Sequence, residues 1–226
     1  MQKRTLPVAQ ELWKRHENIY IEVFTSALLV LMDSQCDKND ETAISEALCP
    51  ILNSVCFEAS RKMGCEIPTP YYEAPIQPIS VSELRGGKSV KRPDFTCKLT
   101  NTMALSADEY TLPFHIECKR LGFLTSKTWI LNENYVVNGI MRYDSNEHEY
   151  GKRAFSGLMI GYVVTMDPDK ILAEVNAYQR KHCAYNSDVE YQFTNGGVQQ
   201  YSQALYRINI KPERFSLIHL WVDLRQ

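Results

Sequence analysis

Glu117 and Lys119, a carboxylate and an amine two residues apart, stand in an otherwise apolar stretch, Phe114-His115-Ile116-Glu117-Cys118-Lys119-Arg120-Leu121. Read as a strand, this stretch sends alternate side chains to opposite faces. Phe114, Ile116 and Cys118 share one face; His115, Glu117 and Lys119 share the other. A charge buried alone is costly, so the pair needs a partner, and a divalent metal with a phosphate is one that fits. Upstream, Arg92-Pro93-Asp94-Phe95-Thr96-Cys97-Lys98-Leu99 reads as a second short strand. Proline is tolerated at a strand's first position, so Pro93 marks where it begins. A hairpin through the polar residues 101–109 would set Asp94 beside Glu117. Two carboxylates with waters suit Mg²⁺ or Mn²⁺, hard ions that prefer oxygen. A lysine beside them can orient or help deprotonate an attacking water and offset charge developing on phosphate. The same residues also admit a plainer reading: Glu117 and Lys119 as a weak ion pair on a solvated edge strand, with Asp94 a turn residue after Pro93.

Pro93, Asp94, Glu117 and Lys119, in this order and in two apolar strand-like runs, resemble the PD-(D/E)xK, or restriction-endonuclease-like, nuclease superfamily. The resemblance implies that Asp94 and Glu117 bind Mg²⁺ or Mn²⁺, that the Cys118 backbone carbonyl adds a ligand, and that Lys119 serves the nucleophilic water. It also implies a mixed central sheet flanked by helices in the order α-β-β-β-α-β. The activity implied is hydrolysis of phosphodiester bonds, as an endonuclease acting on DNA. Compact nucleases of this kind resemble effector subunits of bacterial restriction and antiphage defence, which implies a protein partner such as an ATPase or a sensor subunit. A homo-oligomer is left open. The alternative is a nuclease-fold subunit that has lost catalysis and serves nucleic-acid binding or assembly.

Further residues could serve such a site. A helix is expected from Asp40, its N-cap, to about Lys62, ending before Gly64. Glu41 lies three and seven residues before Ile44 and Leu48, which places it at the edge of that helix's apolar face. By the resemblance it is a catalytic glutamate near the metal; an acid in a helix's first turn is equally favoured by the helix dipole. Arg85, Lys88, Lys91 and Arg92 form a basic run leading into Asp94, suited to gripping a nucleic-acid backbone, or simply solvated. Arg142 offers a planar fork for phosphate, or an ion pair with Asp144 or Glu147. His115 shares the face of Glu117 and either lines the site or is structural, as His219 is expected to be. Arg120 is better placed for a phosphate or a surface acid than for chemistry.

These residues need a scaffold. An N-terminal helical extension, residues 1–38, carries an apolar stripe at Leu12, Ile19, Val23, Leu28 and Leu31 over a helix at 8–34. Residues 39–226 form the nuclease-like domain. After the Asp40 helix, a first core strand is expected at 76–84, then the two strands above, then a helix at 134–143. Residues 155–164 form a continuous apolar run, as in a strand covered on both faces. Asp167-Pro168 opens another helix that fades near His182. Asn195-Gly196-Gly197 signals a turn. Two last strands, 201–210 and 215–224, are expected to pair antiparallel at the end of the sheet. The fold class is therefore α/β.

Composition sets the outer limits. The chain has 226 residues, enough for one α/β domain with additions. A formal net charge of −2 argues against a general polyanion binder, so positive potential must be local or come from a partner. Seven cysteines, an odd number with no C-x-x-C pair, argue for a reducing cytoplasm and against a disulfide framework or zinc finger. No cleavable signal is evident, and the apolar run 24–32 is too short to cross a bilayer. The absence of Walker, G-x-G-x-x-G and G-x-S-x-G motifs removes support for nucleotide-driven motors, dinucleotide enzymes and common serine hydrolases.

Overall fold

The computed structural model describes residues 5–79, 81–83, 91–123 and 129–225. Two long helices come first, α1 (Thr5–Met32) and α2 (Glu41–Met63). The second is bounded as its sequence dictates. The Asp40 carboxylate accepts a hydrogen bond from the Thr42 amide, and Gly64 ends the helix with φ of 64°, a conformation glycine adopts without penalty. Strand β1 (Tyr71–Tyr72) and a 3-10 turn (Val81–Glu83) precede β2 (Phe95–Thr100). A helical turn, α3 (Ala107–Tyr110), then leads into β3 (Thr111–Leu121). Next come α4 (Leu131–Val137), a 3-10 turn (Ile140–Asp144), β4 (Ser156–Val163) and α5 (Pro168–His182). Strands β5 (Glu190–Asn195), β6 (Val198–Tyr206) and β7 (Arg214–Asp223) complete the chain.

All seven strands form one mixed sheet in the order β1-β2-β3-β4-β7-β6-β5. β3 pairs parallel with β4, and β4 parallel with β7; the remaining pairs are antiparallel. Every residue of β4 is buried, as expected of a strand covered on both faces. Helices α1 and α2 cover one face, where Trp13 meets Phe114 edge-on and Phe24 meets Phe95. Helix α4 covers the other face, its Tyr135 packed against Trp221. Residues 13 to 31 of α1 therefore belong to the same hydrophobic core as the sheet. The Trp13 indole also donates to the buried Ser156 hydroxyl. All seven cysteines are free. Among the described residues no helix is long and apolar enough to cross a membrane.

Four expectations need correction. Of the strand expected at 76–84, the described residues form no strand; Pro75 and Pro78 cannot donate to a ladder, and the short strand Tyr71–Tyr72 pairs with β2 instead. The strand expected to begin at Pro93 begins two residues later, at Phe95, with Asp94 in a bend. The helix expected at 134–143 is split at Gly139, where a Cβ would lie 2.4 Å from the Tyr135 carbonyl oxygen. The last strand does pair antiparallel with its predecessor, but it lies inside the sheet against β4, and β5 forms the outer edge.

Gly161 is where β4 passes between two large neighbours. A Cβ there would approach Leu121 Cδ1 to 2.4 Å and Trp221 Cδ1 to 2.5 Å. Gly161→Ala is expected to destabilise the fold by about 1–3 kcal/mol through overpacking, measured by urea denaturation; an unchanged midpoint would contradict this packing.

Candidate active site

The site arises where β3 outruns β2. Their pairing reaches Phe95 opposite Ile116, and one further step of that register sets Asp94 opposite Glu117. Beyond Ile116, β3 is paired only with β4. Amides on the open side must find other acceptors. The Cys118 amide donates to Asp94 Oδ2 at 2.6 Å, and the Arg120 amide donates to Glu41 Oε2 at 2.9 Å. Two carboxylates, one from the bend before β2 and one from the first turn of α2, thus stand in for a missing strand.

Between these carboxylates lie the side chains of Glu117 and Lys119 of β3. Lys119 Nζ is 2.8 Å from Glu41 Oε1, 2.8 Å from Glu117 Oε1 and 2.7 Å from the Cys118 carbonyl oxygen. Arg142, from the 3-10 turn after α4, pairs with the same Glu117 oxygen. Glu117 is fully buried, and its Oε2 has no hydrogen-bond partner among the described residues. Three carboxylates therefore face two cations. The carboxyl of Glu117 is pushed up to about 8 by burial and by the charge of Asp94, against the pull of Lys119 and Arg142. Burial likewise raises Asp94. Burial alone would lower Lys119, but Glu117, Asp94 and Glu41 outweigh it and hold the amine above its ordinary value. Lys119 is thus a fixed cation at neutral pH. It can orient water and stabilise negative charge, and it is a poor base.

The structure brings Asp94, Glu117, Cys118, Lys119, Glu41 and Arg142 into one cluster. Arg142 takes Glu117 rather than Asp144 or Glu147; Asp144 instead accepts from the Ile208 and Asn209 amides. Of the basic run, Lys91 is engaged outside the cluster. Lys91 pairs with Glu147 at 2.6 Å, and the Arg92 carbonyl accepts from the Tyr150 hydroxyl. Arg85 and Lys88 lie outside the described residues. His115 accepts at Nδ1 from the Gly151 amide, and burial pushes it down to about 3. His219 bonds to Tyr135, and the Arg120 guanidinium bonds to the Asn39 carbonyl.

Arg207 was not legible as part of this neighbourhood. It is buried, its Nη1 donates to the carbonyls of Tyr143, Tyr150 and Gly151, and its guanidinium lies 4.0 Å from the Phe215 ring centroid. It therefore clamps the segment that comes after Arg142. A signal existed: the alternation Tyr201, Gln203, Leu205, Arg207 points it inward.

The donor set meets some requirements of a hard divalent ion. Among the described residues no group of three or more His, Cys, Asp or Glu side chains is arranged to hold a metal. Mg²⁺, however, is held through one or two carboxylates and keeps several waters. Asp94, the partnerless Glu117 oxygen and the Cys118 carbonyl are all oxygen donors, and with all three acids ionised the carboxylates outnumber the cations. Comparisons with protein-family models, with curated proteins and with solved structures give no match.

The raised carboxyl of Glu117 has a consequence for stability. Between its ordinary value of 4.5 and about 8, the folded chain keeps a proton that the unfolded chain has lost, so stability falls as pH rises across that window. In metal-free protein, the melting temperature measured against that of Glu117→Gln is expected to fall from about pH 5 to about pH 8. A difference that stays constant with pH would contradict the buried, proton-holding carboxyl.

Proposed function

We propose that this chain is a metal-dependent nuclease with a restriction-endonuclease-like core, hydrolysing phosphodiester bonds and acting on DNA as an endonuclease. The convergence of Asp94, Glu117 and Lys119 at the open edge of β3, with one buried Glu117 oxygen left without a partner, carries this reading. The element order α2, β1, β2, α3, β3, α4, β4 supports it, since setting aside the single helical turn α3 leaves the α-β-β-β-α-β order that the motif implies.

Asp94 and Glu117, with the Cys118 carbonyl, would hold Mg²⁺ or Mn²⁺. When bound, the ion supplies Lewis acidity and lowers the pKa of a coordinated water. Lys119, kept protonated by its three acids, orients the attacking water and offsets the charge that grows on the phosphate oxygens. Glu41 fixes that ammonium from the opposite side. Arg142 is half-exposed, and its planar fork can exchange Glu117 for a phosphate oxygen. The near-neutral chain carries little general attraction for nucleic acid, which is consistent with a partner, such as an ATPase or sensor subunit, directing it within a restriction or antiphage system.

One observation favours a second reading. Lys119 and Arg142 both engage Glu117, and Lys119 also engages Glu41, so both cations of the cluster already have carboxylate partners, as in a fold retained for binding or assembly. Cleavage separates the two. With Mg²⁺ or Mn²⁺ and labelled DNA, Asp94→Asn and Lys119→Met are each expected to lower the cleavage rate by about 10²–10³-fold while the circular dichroism spectrum is unchanged. Equal cleavage by the wild type and both variants would remove the nuclease reading.

A further inference from the structure

The face of the β2–β3 hairpin that carries Asp94 and Glu117 continues away from them. Alternate residues share a face, so the pairs Thr96 with His115, Lys98 with Pro113, and Thr100 with Thr111 come next in line. A cavity of about 390 Å³ lies over these rungs, lined as well by Tyr71 and the proline-bearing segment 74–79. It begins one rung from the carboxylates, about 7 Å along the strand at 3.4 Å per residue.

Its lining has a definite chemistry. Lys98 and Arg153 line it, and among the described residues no carboxylate does. Arg153 is paired with Glu83. Lys98 forms no ion pair among the described residues, and its ammonium sits 5.2 Å from the ring centroid of Tyr71, which is itself half-exposed. Thr96 and His115, both buried, form the polar floor nearest the carboxylates. An exposed aromatic ring, an unneutralised cation and hydroxyl groups match a nucleotide: a planar base for the ring, a phosphate for the ammonium. The volume lies in the range of sites for one small ligand and leaves no room for two paired strands.

We propose that this cavity receives an unpaired nucleotide of the strand being cut, so that the preferred substrate is single-stranded or locally unpaired nucleic acid. This deepens the nuclease reading and rests on it. Binding can be measured without cleavage by fluorescence anisotropy in EDTA, using a short labelled single strand, its blunt duplex, and a mononucleotide as competitor.

The single strand is expected to bind about tenfold or more tightly than the duplex. Lys98→Ala and Tyr71→Ala are each expected to weaken single-strand binding by about 5- to 100-fold, the range for loss of one stacked base, and to leave duplex binding unchanged. Both side chains are exposed, so neither change removes core packing. Equal or tighter duplex binding, variants that hold the single strand as the wild type does, or a mononucleotide competing as well as the strand would each overturn the inference. If the duplex is bound and cut and the variants behave as wild type, only this inference fails. If neither nucleic acid is bound or cut, the nuclease reading fails with it.

Discussion

Beyond Ile116, the third strand has a strand neighbour on one side only, and its amides on the other side must be satisfied by something. Asp94 and Glu41 do this, each with one carboxylate oxygen on a backbone amide, at Cys118 and Arg120. An unpaired buried amide costs about 1–3 kcal/mol, so the positions of both acids are enforced by the fold. The chemistry rests on that placement. Once those carboxylates are fixed at the strand edge, Glu117 and Lys119 project between them, and the residues of a buried ionic cluster are set by backbone hydrogen bonding rather than by mutual attraction alone.

That cluster is not balanced. Lys119 and Arg142 meet three acids, and one oxygen of the fully buried Glu117 is left without a partner among the described residues. A buried polar atom in this state is costly unless something completes it. In the isolated chain burial, with the charge of Asp94 added to it, raises the Glu117 carboxyl to about 8, so that it holds a proton at neutral pH. A bound divalent ion would meet the imbalance differently, by compensating the charge with the proton released. Arg207, buried with its guanidinium on three carbonyls, steadies the backbone that presents Arg142 to this cluster.

Much of this was legible because the signals are local. Asp40 and Gly64 bound α2, Asp167 and Pro168 open α5, and the apolar runs around Glu117 and Ile160 mark β3 and β4. Helical spacing alone brought Glu41 to the edge of the buried face. The rest depends on distant partners. The final strand reads as apolar, yet nothing local shows that it lies beside β4 inside the sheet. β1 is hidden among prolines and is only two residues long. Arg142 had acids close by in sequence and took one 25 residues away instead, a choice that burial of Glu117 decides. Lys91 went the other way, to the exposed Glu147, so proximity to Asp94 in sequence did not bring this lysine into the cluster.

A crystal structure of the chain soaked in Mn²⁺, with the anomalous signal of manganese mapped, bears on all of this at once. A manganese peak between the Asp94 and Glu117 carboxylates and the Cys118 carbonyl, with Lys119 Nζ still beside Glu41, is the expected result. A map with no manganese there, or with the Glu117 oxygen turned onto another protein group, would contradict a metal-dependent site at the edge of this strand.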